Sequence, residues 1–135
     1  MQLDLSQIAI MVVDDNKFIR RIVCEILKSF NVGNIVEAED GSDALRQLEQ
    51  AQPDIIICDW VMRPMSGMEF LRIIRSGGTA LDPQTPVLMM TGQLDAKHVL
   101  EGREVGVSGY LAKPVSVQGI MTRLVDIIRA SATAA

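Results

Sequence analysis

The sequence is poor in aromatic, cysteine and histidine side chains. Only 4% of its 135 residues are aromatic, and it contains 2 cysteines and 1 histidine. Because hydrophobic residues still make up 48% of the chain, the core must be built from Ile, Val, Leu, Ala and Met. Cys24 and Cys58 lie far apart within apolar patterns. We therefore expect two free buried thiols rather than a disulfide or a metal-binding pair.

The chain also lacks an excess of basic residues and any long apolar run. Its net charge of −4 disfavours binding to a nucleic-acid backbone. No apolar stretch approaches the roughly 20 residues of a membrane-spanning helix, and residues 1–7 lack the basic start and apolar centre of a signal peptide. These absences predict an acidic, cytoplasmic protein. The length suits a single domain over residues 1–135, with its core between residues 8 and 129.

Short apolar runs alternate with helical stripes along the chain. The runs are typical of strands buried on both faces. They cover residues 8–13, 35–38, 55–58, 87–91 and 109–112. Five β-α units in this order predict an α/β fold, with a five-stranded, parallel, doubly wound sheet and helices on both faces.

Four of the helices carry recognisable boundary signals or weaknesses. Asn16 is predicted to cap the first helix, and Ser66 with Glu69 fits a capping box at the start of the third. The fourth helix, over residues 95–105, is expected to be weak and interrupted by Gly102. The fifth is expected to end before the alanine-rich residues 130–135, which are predicted to fray.

Polar residues stand at the ends of four predicted strands. Asp14 and Asp15 follow the first strand, Asp59 the third and Lys113 the fifth, while Thr91 ends the fourth. In an open parallel sheet these positions gather at one edge. Crowded carboxylates favour a divalent cation such as Mg²⁺, and a lysine and a threonine suit the oxygens of a phosphoryl group. The pattern predicts phosphoryl chemistry on an aspartate nucleophile.

Five short motifs coincide with the predicted strand ends and the start of the second helix. They read VVDDN at 12–16, EDGSDAL at 39–45, DWVM at 59–62 with Gly67 downstream, TG at 91–92 and GYLAKP at 109–114. Together and in this order they resemble the receiver domain of two-component response regulators, especially the single-domain regulators of chemotaxis. The resemblance covers almost the whole chain.

This resemblance implies a flavodoxin-like (βα)5 receiver fold and a phosphorylation-activated signalling switch. Asp59 would accept a phosphoryl group from the phosphohistidine of a histidine kinase or a histidine phosphotransfer protein. The reaction would require Mg²⁺, for which Mn²⁺ can substitute. Asp15, Asp59 and the backbone carbonyl of Val61 would hold the cation directly, and Asp14 would act largely through water.

The resemblance also implies a route from the site to a partner. Lys113 would pair with the phosphoryl group, Thr91 would move toward it, and Tyr110 would swing inward into the space that Thr91 leaves. The altered face around the fourth helix, the fifth strand and the fifth helix would bind a downstream target protein. Nucleic acid and membrane are not expected partners, and no enzyme activity is implied beyond self-phosphotransfer and autodephosphorylation. The Lys113–Pro114 peptide is expected to be cis.

Some residues differ from the chemotaxis regulators. Val61 stands in place of an amide and Gln93 in place of an acid, at positions that border the path of the hydrolytic water, so the phosphate lifetime stays open. Val115 is smaller than the usual Phe. Arg63 is either a loop charge, the preferred interpretation, or a contact for the kinase.

Simpler structural roles are expected for several neighbours of the motifs. Trp60 is interpreted as a partly buried wall of the site, and His98 as an exposed helix residue rather than a phosphate donor. Five methionines near the site are predicted to fill gaps in a core that has few rings. They are Met62, Met65, Met68, Met89 and Met90.

Four alternatives are weighed against the receiver switch. A phosphatase of the haloacid-dehalogenase type would carry an aspartate where this chain has Val61. A flavodoxin-like domain would bind the FMN phosphate after the first strand, where Asp14 and Asp15 would repel it. A degenerate receiver would bind partners constitutively without phosphorylation, which the intact acid set disfavours. A receiver module excised from a longer regulator stays open.

Overall fold

Five parallel strands and five helices alternate along the chain. The computed structural model of the protein describes residues 4–92 and 95–134. The strands are β1 (Ala9–Val13), β2 (Asn34–Ala38), β3 (Ile55–Asp59), β4 (Val87–Thr91) and β5 (Gly109–Ala112). The helices are α1 (Lys17–Ser29), α2 (Gly41–Gln47), α3 (Gly67–Arg75), α4 (Ala96–Val105) and α5 (Val117–Ala134). The predicted (βα)5 order is confirmed.

The strands form one sheet in the order β2-β1-β3-β4-β5. All four neighbouring pairs are parallel, and in the central pair Met11 lies opposite Ile56 and Val13 opposite Cys58. The chain order reverses between β1 and β3, so the crevice at their carboxyl ends is the topological switch point where ligands bind in such sheets. The predicted doubly wound sheet therefore places the residues after β1 and β3 in a ligand-binding position.

The core lies in two layers, one on each face of the sheet. One layer packs β-strand side chains such as Ile56 and Met89 against residues of α2 and α3, including Ala44 and Phe70. The other packs against α1 and α5. Every residue of β3 and β4 is buried, as continuous apolar strands covered on both faces require.

Local capping signals set the starts of the helices. The side chain of Asn16 accepts hydrogen bonds from the backbone N–H groups of Phe18 and Ile19. Ser66 accepts one from Glu69 N at 3.2 Å, so the helix start predicted there is confirmed. Each cap satisfies donors that have no partner inside the helix.

Two predictions about the later helices are wrong. Helix α4 runs unbroken through Gly102. It ends instead at Gly106, whose φ of 103° lies in the left-handed region. Helix α5 continues to Ala134 instead of ending before residue 130, since alanine favours helix wherever no breaker intervenes. Ala135 and residues 1–3, on which other predictions fall, lie outside the described residues.

The two cysteine side chains, Cys24 and Cys58, are free and buried, as predicted. Burial raises the pKa of Cys24 to about 11 and that of Cys58 well above its ordinary value, so neither thiol is a ready nucleophile. Within residues 4–92 and 95–134, no helix combines the length and the apolar character needed to cross a membrane.

Candidate functional site: an acidic pocket at the sheet edge

Three aspartates converge at the carboxyl ends of β1 and β3. Asp14, Asp15 and Asp59 each offer a carboxylate oxygen within 4.8 Å of the others. Asp14 is fully buried and Asp59 is 4% exposed, whereas Asp15 is exposed. The Nζ atom of Lys113 lies 2.9 Å from Asp59 Oδ1 and 3.8 Å from Asp14 Oδ2. The structure thus brings together the four charged residues predicted from the strand ends.

Asp14 is held at one carboxylate oxygen and open at the other. Its backbone N–H donates to Ala38 O at 3.2 Å, and its Oδ1 accepts from Asn16 N at 2.8 Å. Its Oδ2 is buried and has no hydrogen-bond partner among the described residues. Burial, with a smaller contribution from the charge of Asp59, raises the pKa of Asp14 to about 6 against the opposing effects of the Asn16 N–H and Lys113. A buried acceptor of this kind is costly unless a ligand completes it.

This donor set fits a hard divalent cation. Carboxylate oxygens are the ligands that Mg²⁺ prefers, commonly one or two of them with water and phosphate oxygens completing the shell. Asp14 and the exposed Asp15 both belong to the cluster, and Asp14 Oδ2 accepts no hydrogen bond among the described residues. The positive charge of Lys113 neutralises only part of the negative charge of the three aspartates. The remaining negative charge would be balanced by a bound cation.

Thr91 and Lys113 are joined through the main chain at the ends of β4 and β5. Thr91 is buried, with 6% of its surface exposed, and it pairs in register with Ala112. Its carbonyl oxygen accepts a hydrogen bond from Lys113 N at 2.9 Å. The Lys113–Pro114 peptide is cis, as expected. Val61, in the loop after β3, is 75% exposed, and the cation-binding role of its carbonyl stays a prediction.

Trp60 links the pocket to α4 through an aromatic cluster of Trp60, Tyr110 and His98. Trp60 is 8% exposed, so it is more deeply buried than predicted, and its role as a wall of the site stays a prediction. It stacks on Tyr110 with ring centroids 6.2 Å apart and meets His98 edge-on at 5.0 Å. The prediction that His98 is exposed is wrong: 27% of its side chain is accessible, and its Nδ1 lies 2.7 Å from Asp95 Oδ1. Contact with the indole across the fold covers the imidazole.

Tyr110 is anchored to α4 rather than to the acidic residues. Its hydroxyl donates to the carbonyl oxygen of Val99 at 3.2 Å. A Cβ atom on Gly102 would lie 1.8 Å from that hydroxyl. Gly102 is therefore required for the tyrosine to sit against the helix, which explains a glycine inside α4.

The remaining residues singled out from the sequence take surface or packing positions. Arg63 is exposed and Val115 is partly buried against the core layer of α1 and α5. Gln93 lies outside the described residues. The five methionines join the core clusters, Met65 from a partly buried position, so their predicted packing role is confirmed.

Sequence reasoning missed two cationic side chains that bind main-chain carbonyls. Arg20 donates from Nη1 to Asp14 O at 2.7 Å, directly behind the acidic pocket. Arg75 donates to the carbonyl oxygens of Pro83, Thr85 and Gly106. No sequence signal separates Arg20 from its neighbour Arg21, since both flank the apolar stripe of α1.

Comparison with known proteins gives one consistent family. The family model of the response regulator receiver domain matches residues 10–125. The chemotaxis protein CheY of Pseudomonas aeruginosa is 33% identical over 118 residues, covering 87% of this chain and 94% of that protein. CheY-3 of Vibrio cholerae is 34% identical over 115 residues, covering 85% and 87% respectively.

Solved structures agree with the sequence matches. The structure of the Vibrio cholerae chemotaxis protein CheY4 gives a TM-score of 0.79 at 31% identity, covering 87% of this chain and 95% of that one. The receiver domain of the Francisella response regulator 1452 gives 0.82 at 25% identity, covering 93% and 99%. The chain is similar to receiver proteins in both sequence and fold.

Proposed function

The chain belongs to the family of response regulator receiver domains, and from that membership we propose that it is a phosphorylation-activated signalling switch with Asp59 as phosphoacceptor. The observation that carries the proposal is the 2.9 Å contact between Lys113 Nζ and Asp59 Oδ1. It lies inside a cluster of three carboxylates at the switch point of the sheet. A lysine paired with a buried carboxylate is placed to bind the negatively charged oxygens of a phosphoryl group attached to that carboxylate.

The proposed reaction transfers a phosphoryl group from a phosphohistidine to Asp59. An oxygen of the Asp59 carboxylate attacks phosphorus, the phosphorus–nitrogen bond breaks with its electron pair going to nitrogen, and the leaving imidazole takes up a proton from solvent. Lys113 moves its ion pair from the carboxylate to a phosphoryl oxygen, and the hydroxyl of Thr91 donates to another. The protein's contribution is positioning and charge stabilisation, as in phosphoryl transfer generally.

The acidic cluster is proposed to hold Mg²⁺, with Mn²⁺ as a substitute. Asp15, Asp59 and the carbonyl of Val61 would bind the ion directly, with Asp14 acting largely through water. When bound, the cation neutralises charge on the transferring phosphoryl oxygens. Asp14 Oδ2 supports this assignment, because it is buried and has no hydrogen-bond partner among the described residues, with only Lys113 Nζ at 3.8 Å.

Hydrolysis by water would reverse the switch. A water molecule attacks phosphorus, the bond to Asp59 breaks, and the carboxylate and inorganic phosphate are released. Val61 is 75% exposed beside the site and offers no side-chain hydrogen bond to orient that water. The phosphate lifetime then depends on Val61 and on Gln93.

The switched surface is proposed to include α4, β5 and α5, and to bind a downstream target protein. Tyr110 stands between the pocket and this surface, since it stacks on Trp60 beside Asp59 and bonds to a carbonyl of α4. Movement of Thr91 toward the phosphoryl group would open space for the tyrosine ring. The chemotaxis proteins among its relatives favour a chemotaxis-type pathway for this chain.

Intact mass after incubation with acetyl phosphate tests the proposal. We expect the wild-type protein to gain one phosphoryl group in Mg²⁺ and none in EDTA. The Asp59→Asn variant should gain none, because an amide is not a nucleophile toward phosphorus. Asp126→Asn is the matched control, since Asp126 is an exposed aspartate of α5 paired with Arg123.

Two outcomes would contradict this assignment. Phosphorylation that persists in Asp59→Asn would mean that another residue is the acceptor. A wild-type protein that binds Mg²⁺ yet gains no phosphoryl group from either acetyl phosphate or a phosphorylated histidine protein would favour a degenerate receiver that binds its partner constitutively.

Gly102→Ala is expected to displace Tyr110 without impairing phosphorylation. The new Cβ would fall 1.8 Å from the tyrosine hydroxyl, and the ring is the side that can move. Alanine also favours helix over glycine by about 1 kcal/mol, so α4 should persist. We expect changed tyrosine and Trp60 fluorescence, altered target affinity and unchanged phosphoryl uptake. Target affinity equal to that of wild type would argue against Tyr110 as a switch residue.

A further inference from the structure

Asp15 is the least constrained member of the acidic cluster. Its side chain is exposed, and no hydrogen bond or ion pair holds its carboxylate among residues 4–92 and 95–134. Asp14, by contrast, has its N–H bonded to Ala38 O and its Oδ1 bonded to Asn16 N. The position of the Asp15 carboxylate therefore depends on the orientation of the main chain that carries it.

Arg20 fixes the peptide unit between Asp14 and Asp15. Its Nη1 donates to Asp14 O at 2.7 Å, and Asp14 O is the carbonyl oxygen of that peptide. Its Nε donates to Glu37 Oε1 at 3.0 Å. Only 15% of the arginine side chain is exposed. The guanidinium thus fastens the start of the β1–α1 loop to strand β2.

This link is made to the main chain, because Nη1 of Arg20 meets the carbonyl oxygen of Asp14 and not its carboxylate. A planar guanidinium with two donors in fixed directions holds two acceptors at once. Glu37 supplies one acceptor from the edge strand, so the loop and the strand are held at a set separation.

We propose that Arg20 is a positioning residue of the cation site, which holds the Asp14–Asp15 peptide against Glu37 so that the Asp15 carboxylate faces the bound ion. The inference rests on the proposed function, because the ion is the Mg²⁺ of that site. When Arg20 holds this peptide, the Asp15 carboxylate is oriented before the ion binds, so less conformational entropy is lost on binding. Without Arg20, the Asp15 side chain must become ordered as the ion binds, which weakens the affinity.

Mg²⁺ titration of the isolated protein tests Arg20 without relying on phosphoryl transfer. Trp60, the only tryptophan in the chain, directly follows Asp59, and its fluorescence is the signal to follow, with isothermal calorimetry as the second measurement of Mg²⁺ binding. We expect Arg20→Met to weaken Mg²⁺ binding about 10-fold or more, the scale seen when a partner behind a metal ligand is removed. Arg20→Lys should recover part of the loss, because one ammonium can reach the carbonyl but cannot bridge both acceptors.

Arg21→Met is the matched control. Arg21 is exposed on the same helix and loses the same charge, and loss of a positive charge by itself favours a cation. We therefore expect its Mg²⁺ affinity to stay at or above that of wild type. Glu37→Gln, which removes only the charge of the second acceptor, should fall between Arg20→Met and wild type and provides a variant if Arg20→Met folds poorly.

The possible outcomes separate the role of Arg20 from the existence of the cation site. If Arg20→Met melts at a lower temperature in EDTA but binds Mg²⁺ as wild type does, Arg20 is only a structural tie and the inference is overturned. Equal weakening in Arg21→Met would overturn it as well. A wild-type protein with no saturable Mg²⁺ binding would overturn the cation site itself, which is the proposed function rather than the role of Arg20.

Discussion

Asp14→Asn is expected to stabilise the protein in metal-free buffer at neutral pH while weakening its affinity for Mg²⁺. The wild-type carboxylate is buried, and its pKa is raised from 3.8 to about 6. A shift of that size corresponds to about 3 kcal/mol against the ionised form. An amide of the same shape keeps an oxygen for the Asn16 N–H and carries no buried charge, although its NH₂ group then faces Lys113 Nζ, which lies 3.8 Å from Oδ2 in the wild type. We expect a gain of about 2 kcal/mol and a melting temperature several degrees higher.

The gain should depend on pH with a defined sign. Because the folded pKa of Asp14 is raised above its unfolded value of 3.8, the stability from its protonation is complete below 3.8 and is lost as the pH rises through about 6. The neutral amide has no such loss. The difference in melting temperature between the variant and wild type should therefore be small near pH 4 and full above pH 6 to 7, measured in EDTA.

Asp15→Asn serves as the control for this prediction. Asp15 belongs to the same cluster but is exposed, so its removal should weaken Mg²⁺ binding with little change in melting temperature. Saturating Mg²⁺ should raise the melting temperature of wild type more than that of either variant. If Asp14→Asn melts below wild type in EDTA at pH 7.5, the carboxylate is not the destabilising group that its burial indicates.

Arg75→Met is expected to cause a large loss of stability although it lies outside both the pocket and the apolar core. The half-buried guanidinium donates to Pro83 O at 2.8 Å, Thr85 O at 2.7 Å and Gly106 O at 2.9 Å. It thereby ties α3 to the segment before β4 and to the turn before β5. A buried carbonyl left without a donor costs on the order of 1–3 kcal/mol. Because these three hydrogen bonds are only part-buried and water reaches them, we expect a total of about 4 kcal/mol.

Thermal or urea unfolding measures this effect against a close control. Arg72 lies one turn earlier on α3 and is exposed, so Arg72→Met should change the free energy of unfolding by less than about 0.5 kcal/mol. Arg75→Lys should lose most of the stabilisation that the guanidinium provides, because one ammonium cannot reach three separated carbonyls. If Arg75→Met proves as stable as Arg72→Met, water replaces the guanidinium at these carbonyls without cost.

Local patterns were sufficient for the sheet and for the charged members of the pocket. Continuous apolar runs such as residues 55–58 predicted buried strands, and the acids and lysine that follow them were expected at one edge because parallel strands end together. The caps at Asn16 and Ser66 followed from the chemistry of unsatisfied N–H groups. The position of Asp59 beside Lys113 follows from these same signals, whereas its role as phosphoacceptor stays a proposal.

Contacts across the fold did not follow from local patterns. His98 appeared exposed from its helix, yet Trp60 covers it from the end of β3, 38 residues earlier in the chain. Gly102 appeared to break α4, yet it makes room for the Tyr110 hydroxyl. In both cases the contacting residue is distant in sequence. The contact depends on how the packed elements fit together, and the spacing of apolar residues along one helix carries no information about that.

The sequence by itself therefore determined the strand order along the chain, the helix starts and the gathering of Asp14, Asp15, Asp59 and Lys113. Only the tertiary structure decided which arginines matter. Arg20 and Arg21 are identical residues side by side on α1, and only the path of the main chain after β1 gives one of them a carbonyl to hold. Arg75 reaches Gly106 across 31 positions. Long side chains bind whatever carbonyls the finished fold presents to them, and those carbonyls exist in place only once the elements have packed.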